Sequence, residues 1–155
     1  MKRFVQIAAS IVFCFCLLMQ TVGTAYAQGA PLPPNGEPRT LRVSAYYSPV
    51  PGQSRYLRGN YEAEIRLNGR GTNGADGTPV YPGMLAAPRN YPFGTQIYLP
   101  GLGIGTVHDR GGAIVPAGQR GQAFDRIDVW MGRGEDGLAR ALAWGKRTVD
   151  GIVYW

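Results

Sequence analysis

Cysteine and histidine are almost missing from this sequence. Its two cysteines, Cys14 and Cys16, lie in an apolar stretch near the start, and His108 is the single histidine. If that stretch is removed on export, no disulfide framework and no thiolate metal site is possible. One histidine among scattered acids is also poor zinc chemistry. No nucleophile-elbow motif surrounds Ser44 or Ser48, which leaves a Ser–His–Asp arrangement with His108 unsupported. Carboxylates and loop carbonyls around Asp76 leave a place for calcium, yet no D-x-D-x-D-G pattern is present. The basic residues form no block of five or more, and no nucleic-acid motif appears. No metal and no cofactor is expected.

The first residues have their own pattern. Lys2 and Arg3 precede an apolar run from Phe4 to about Met19, and Ala25-Tyr26-Ala27 follows. A basic start, an apolar core and a small-x-small ending make a secretory signal peptide, residues 1–27, with the cut before Gln28. The product is exported, to the periplasm or to the extracellular space and cell wall. The run is short for a bilayer span of ~20 residues, so membrane attachment would come only through an uncleaved signal segment. Losing Lys2 and Arg3 takes the formal charge from +6 to +4. Scattered arginines suit a solvated surface, or an anionic polymer such as a bacterial wall.

Residues 28–39, Q-G-A-P-L-P-P-N-G-E-P-R, read as a Pro/Gly-rich tether. A domain follows over 40–155. Short β-type runs separated by Gly, Pro and Asn are expected at Leu41–Tyr47, Glu64–Leu67, Thr95–Leu99, Gly105–Asp109, Arg126–Met131 and Gly151–Trp155. One helix is expected at Glu135–Trp144, with Leu138, Ala141 and Leu142 on one face, acidic residues at its start and Gly145 as its stop. Six short strands and one helix describe a small, mainly β barrel, without the crossover helices of a parallel α/β sheet.

Two aspartates are the candidates for chemistry. Asp109 ends a strand-like run and precedes Gly111 and Gly112; it is either a turn former or an acid presented in a cleft. Asp128 interrupts Ile127–Val129–Trp130, where aspartate is disfavoured. It faces solvent or is held by hydrogen bonds in a site. If the two lie close together, repulsion raises the proton affinity of one carboxyl, which is what a general acid needs. Strand alternation turns His108 away from Asp109. Glu64 could line the same groove, and Tyr46 and Trp130 could stack on sugar rings, although such residues also serve in cores.

The segments L-A-A-P-R-N-Y-P-F-G-T-Q-I-Y-L-P-G (85–101), V-H-D-R-G-G-A-I (107–114) and R-I-D-V-W-M-G (126–132) resemble the three-aspartate (3D) domain. That domain occurs in the membrane-bound lytic transglycosylase A family and in stationary-phase muralytic factors. S-A-Y-Y-S-P (44–49) is similar to its opening strand, and M-G-R-G-E-D-G-L-A-R-A-L-A-W-G (131–145) to the transglycosylase ending. The resemblance covers roughly Val43 to Trp155. It implies a six-stranded double-psi β-barrel that cleaves peptidoglycan glycan strands as a monomer, with Asp109 as acid/base and Asp128 as its partner. Gly111 and Gly112 would then let the glycan approach closely, with Tyr46, Trp130 and Glu64 as further substrate contacts. The family's first aspartate corresponds to Ala87, so one of the three acids is absent. Two alternatives stand beside a lytic transglycosylase. One is a non-catalytic, expansin-like wall-binding module. The other is an ordinary hydrolase using Asp109 with Asp128 or Glu64 as base.

Overall fold

In the computed structural model, residues 32–68 and 70–155 are described, and the expected signal peptide lies outside them. The chain runs β1 (Glu37–Ser48), α1 (Tyr61–Asn68), β2 (Met84–Ala86), β3 (Gln96–Leu99), β4 (Gly103–Asp109), β5 (Asp125–Arg133), α2 (Gly134–Trp144) and β6 (Arg147–Tyr154). The six strands close into a barrel in the order β1-β5-β2-β4-β3-β6. Closure leaves no free sheet edge. The protein is therefore mainly β, as its short, glycine-punctuated apolar runs suggest.

β1 is the longest strand and does two jobs. Its residues from Glu37 to Val43 pair antiparallel with β6, and Leu41 to Tyr46 pair in parallel with β5. Alternation explains its two faces: Leu41 and Val43 are fully buried, while Thr40 is exposed and Arg42 half-buried. Leu85, Ile97, Leu99, Val107, Ile127, Val129 and Val153 complete the interior, each from a different turn of the same period-two pattern. β2 is decisive for the site although only three residues long. It lies between β4, which it meets in parallel, and β5, which it meets antiparallel.

Several expectations need correction. Glu64–Leu67 belongs to helix α1, so there are two helices. The Asn60 side-chain carbonyl accepts the Ala63 amide at 2.8 Å, an N-terminal cap, and Glu62 and Glu64 occupy the first turn, where the helix dipole favours them. β2 takes the sixth place in the barrel. Its Met-Leu-Ala run between Gly83 and Pro88 is too short to signal a strand by alternation. The tether expected over 28–39 gives way to β1 at Glu37, because Glu37, Pro38 and Arg39 find partners in Val153, Ile152 and Gly151. β6 likewise begins at Arg147, ahead of the expected Gly151.

α2 packs on β1 and β5 through Gly134, Gly137, Leu138 and Ala141. Leu142, expected on the same face, is instead 44% exposed. The helix ends at Gly145, whose amide reaches Ala141 O at 3.0 Å and whose φ of +67° suits glycine. A β-carbon on Gly137 would come within 2.5 Å of the Gly132 carbonyl, so the helix sits directly on the strand backbone.

Candidate active site

The short β2 brings the two aspartates together. Ala86 is the register partner of Asp109 on one side and of Asp128 on the other. The two acids therefore stand on strands flanking one small residue, about 10 Å apart at the backbone from ordinary strand spacing. The pairing with β4 slips between Leu85, opposite Val107, and Ala86, opposite Asp109, which leaves His108 as the extra residue of a bulge. Bulges commonly re-aim side chains beside functional sites. Here Asp109 joins Asp128, Ala86 and Tyr46 in one open cavity of about 290 Å³.

Asp109 is held from three directions. Its Oδ1 accepts the amides of Ala75 at 3.0 Å and Arg110 at 2.8 Å. Its Oδ2 accepts the Tyr46 hydroxyl at 3.0 Å. Oδ1 thus takes two N–H donors and Oδ2 one O–H donor. Burial, and after it the nearby Asp109 charge, pushes the Tyr46 phenol far above its ordinary value, so Tyr46 stays a donor.

Asp128 is partly buried and accepts a short hydrogen bond from the Ser44 hydroxyl. Arg126 in turn donates to Ser44 Oγ at 3.2 Å. Burial raises the Asp128 carboxyl above its ordinary value, against the lowering effects of Ser44 and Arg126. Burial thus helps Asp128 retain its proton. The sequence reading singled out neither Arg126 nor the Ala75 amide, and it considered Ser44 only as a nucleophile. The Ser-Ala-Tyr run of β1, in parallel register with β5, is the signal that Ser44 faces Asp128.

His108 turns to the other side, as alternation suggested. Its Nδ1 lies 2.6 Å from Asp76 Oδ2 and 3.3 Å from Thr78 Oγ1, and its ring meets Tyr81 edge-on. The Asp76 amide donates to the His108 carbonyl, and a β-carbon on Gly74 would come within 2.4 Å of that oxygen. The glycine-rich 70–83 loop is thereby fastened over β4, which aims the Ala75 amide at Asp109. Asp76 belongs to this clasp. Ser44 and His108 have different partners, so they form no triad.

The other expected contacts divide. Gly111 and Gly112 line the acid cavity. Trp130 does not: it is 8% exposed, and its Nε1 donates to Ser48 Oγ at 2.8 Å. Two residues beyond Asp128, it has passed the end of the cavity. Glu64 is 1% exposed in α1, and its Oε2 accepts the Arg58 amide at 2.9 Å. Its burial under α1 keeps it out of the acid cavity.

The acid cavity has neighbours on both sides. One, about 370 Å³, shares Asp128 and includes Ser44, Leu57, Arg126 and Lys146. The other, about 290 Å³, shares Arg110, Gly111, Gly112 and Ile114, and adds Ala87 and Arg89. Together they form a trough with both carboxylates at its middle. A larger cavity of about 440 Å³ opens on the opposite side of the β2–β5 pairing, lined by Leu85, Leu99, Val129, Trp130 and Met131. It is lined mainly by apolar residues, together with Arg133 and Arg140, and holds no acid, so the trough is the candidate site despite the difference in size.

Compared with family models and with curated proteins, the sequence matches none.

Proposed function

We propose that this protein is an exported peptidoglycan-cleaving enzyme, a lytic transglycosylase in which Asp109 is the general acid/base. The observation that carries the reading is the open trough passing two carboxylates, one to either side of Ala86. An elongated groove with an acid at its centre suits an internal bond of a polymer, and the basic residues along it suit an anionic one. The resemblance of residues 85–101, 107–114 and 126–132 to the three-aspartate domain adds the glycan strand as substrate. The parallel pairings β1–β5 and β2–β4 within a six-stranded barrel support the double-psi topology that this resemblance implies.

The chemistry needs a single residue that first gives and then takes a proton. Asp109, in its protonated form, donates to the glycosidic oxygen between N-acetylmuramic acid and N-acetylglucosamine. The resulting carboxylate then accepts a proton from the muramyl 6-hydroxyl, whose oxygen closes a 1,6-anhydro ring. No water is consumed, unlike the two-carboxylate hydrolysis of ordinary glycosidases. The Tyr46 hydroxyl stabilises the carboxylate between the two transfers. Asp128 and Ser44 stand on the far side of Ala86 and supply a hydrogen-bonding wall.

Digestion of purified peptidoglycan by the mature protein and by Asp109→Asn tests the reading. Soluble fragments are expected from the first and none from the second. Fragments from both would move the acid elsewhere, and fragments from neither would reject cleavage. One observation favours a non-catalytic glycan-binding module as the second reading: the position where the family has an acid holds Ala87, which carries none. Retention on murein without released fragments would select it.

A further inference from the structure

The cavity beside Ala87 has an unusual electrostatic character. Its lining holds Arg89 and Arg110 and no carboxylate. Arg110 is fixed in place: Nη1 donates to Ala87 O at 2.9 Å and to Asp109 O at 3.3 Å, Nη2 donates to Tyr91 O at 2.8 Å, and the guanidinium lies 4.0 Å over the Phe93 ring. Carbonyls and an aromatic face hold this cation, and among the described residues no carboxylate forms an ion pair with it or with Arg89. Burial, and after it repulsion from Arg89, holds the Arg110 guanidinium below its ordinary value. Two cations thus share a concave space lined by no carboxylate, and the nearest acids, Asp109 and Asp76, attract Arg110 through space without pairing with it. A partly buried cation that no carboxylate pairs is costly, and a ligand that brings one relieves that cost.

Ala87, at the same cavity, brings no carboxylate of its own. Arg110 lies between the two glycine-lined cavities and next to Asp109, so whatever anion it holds is close to the reacting bond.

We propose that Arg89 and Arg110 form an anion subsite that takes a carboxylate of the glycan substrate. The inference rests on the trough as the glycan-binding groove, and it adds a specificity: the sugar or its substituent next to Asp109 carries a free carboxylate. In peptidoglycan that group comes either from the lactyl side chain of a muramic residue without peptide or from the peptide of a substituted one.

Binding read without turnover tests it. The probes are N-acetylmuramic acid, its uncharged methyl ester, and N-acetylmuramyl-alanyl-glutamate, each titrated into the mature protein by calorimetry or by amide chemical shifts. At least one charged probe is expected to bind about tenfold or more tighter than the ester, from a charge-assisted, two-guanidinium contact. Preference for the simple acid assigns the lactyl carboxylate, and preference for the peptide-bearing probe assigns the peptide. Arg89→Gln, a change at an exposed residue, is expected to abolish the preference while the ester binds as before. Equal binding of all three probes, or a preference that survives in both Arg89→Gln and Arg110→Gln, would overturn the proposal. Cleavage is scored separately. A protein that discriminates without cutting murein would reject the transglycosylase reading and uphold the subsite, and one that cuts without discriminating would do the reverse.

Discussion

Asp109 and Asp128 have opposite surroundings on the two sides of Ala86, and their surroundings assign their parts. Asp109 is encircled by donors, with one oxygen taken by backbone amides and the other facing Tyr46. Removing the phenol should weaken the carboxylate that forms between the two proton transfers. Tyr46→Phe is expected to lower kcat about tenfold, the cost of one such hydrogen bond, with KM nearly unchanged. An unchanged kcat would show that Tyr46 is only packing. Asp128 is held by burial, with its carboxyl raised. A raised acid binds its proton more tightly in the folded than in the unfolded chain. Its favourable contribution is therefore complete below the unfolded carboxyl value and is lost as pH rises through the folded one. Asp128→Asn should then melt higher than the parent at pH ~7 and level with it at pH ~3, below ordinary carboxylate values. A lower melting temperature at both would contradict the assignment. Both aspartates were legible in the sequence, since an acid in a short apolar run is conspicuous. Trp130 and Glu64 misled because residue type does not reveal what covers a side chain. The Trp130 indole answers to Ser48 beneath the surface, and Glu64 turns inward to cap the Arg58 amide.

At the scale of elements, the site depends on the shortest strand and on a loop. β2 was invisible because three residues carry no period, yet its Ala86 separates the two acids and, through the bulge at His108, turns Asp109 towards Asp128. The fastening of the glycine-rich 70–83 loop was not legible, since the His108–Asp76 contact joins residues 32 positions apart. Replacing Asp76 by alanine should accelerate amide exchange at Ala75, Asp76 and Gly77 without unfolding the barrel; unchanged exchange would show that the clasp does not hold the loop. α1 was mistaken for a strand because its apolar content is low and its cap, Asn60, lies outside the run that was weighed. α2 was read correctly in place, but its packing has a consequence that helix propensity reverses. Alanine is ordinarily better than glycine in a helix by about 1 kcal/mol. At Gly137 the new methyl would meet the Gly132 carbonyl at 2.5 Å. Gly137→Ala is expected to destabilise the protein by about 1–3 kcal/mol in chemical denaturation, as overpacking does. A stabilised variant would mean that α2 can lift off β5.

At the scale of the whole molecule, closure and charge account for how a small barrel could work on a wall polymer. β1 reaches across two neighbours, pairing with β6 and β5, so the barrel closes around a rigid platform for the trough. The barrel class was readable from the spacing of short strands, whereas the strand order was not, because it is fixed by pairings such as Leu85 with Val129 that no local pattern encodes. The formal charge of the full sequence is +6, and Arg70, Arg89, Arg110, Arg126 and Lys146 all line the trough. Retention on isolated murein should therefore fall as salt shortens the screening length from about 10 Å at 0.1 M to about 3 Å at 1 M. Retention independent of salt would assign binding to apolar contacts. The most direct test of the central claim is the chemistry of the new chain ends. Peptidoglycan digested by the mature protein in water enriched in heavy oxygen should yield fragments ending in 1,6-anhydromuramic acid, each lighter by one water than a hydrolysis product and free of label. Labelled reducing ends, or no fragments at all, would contradict it.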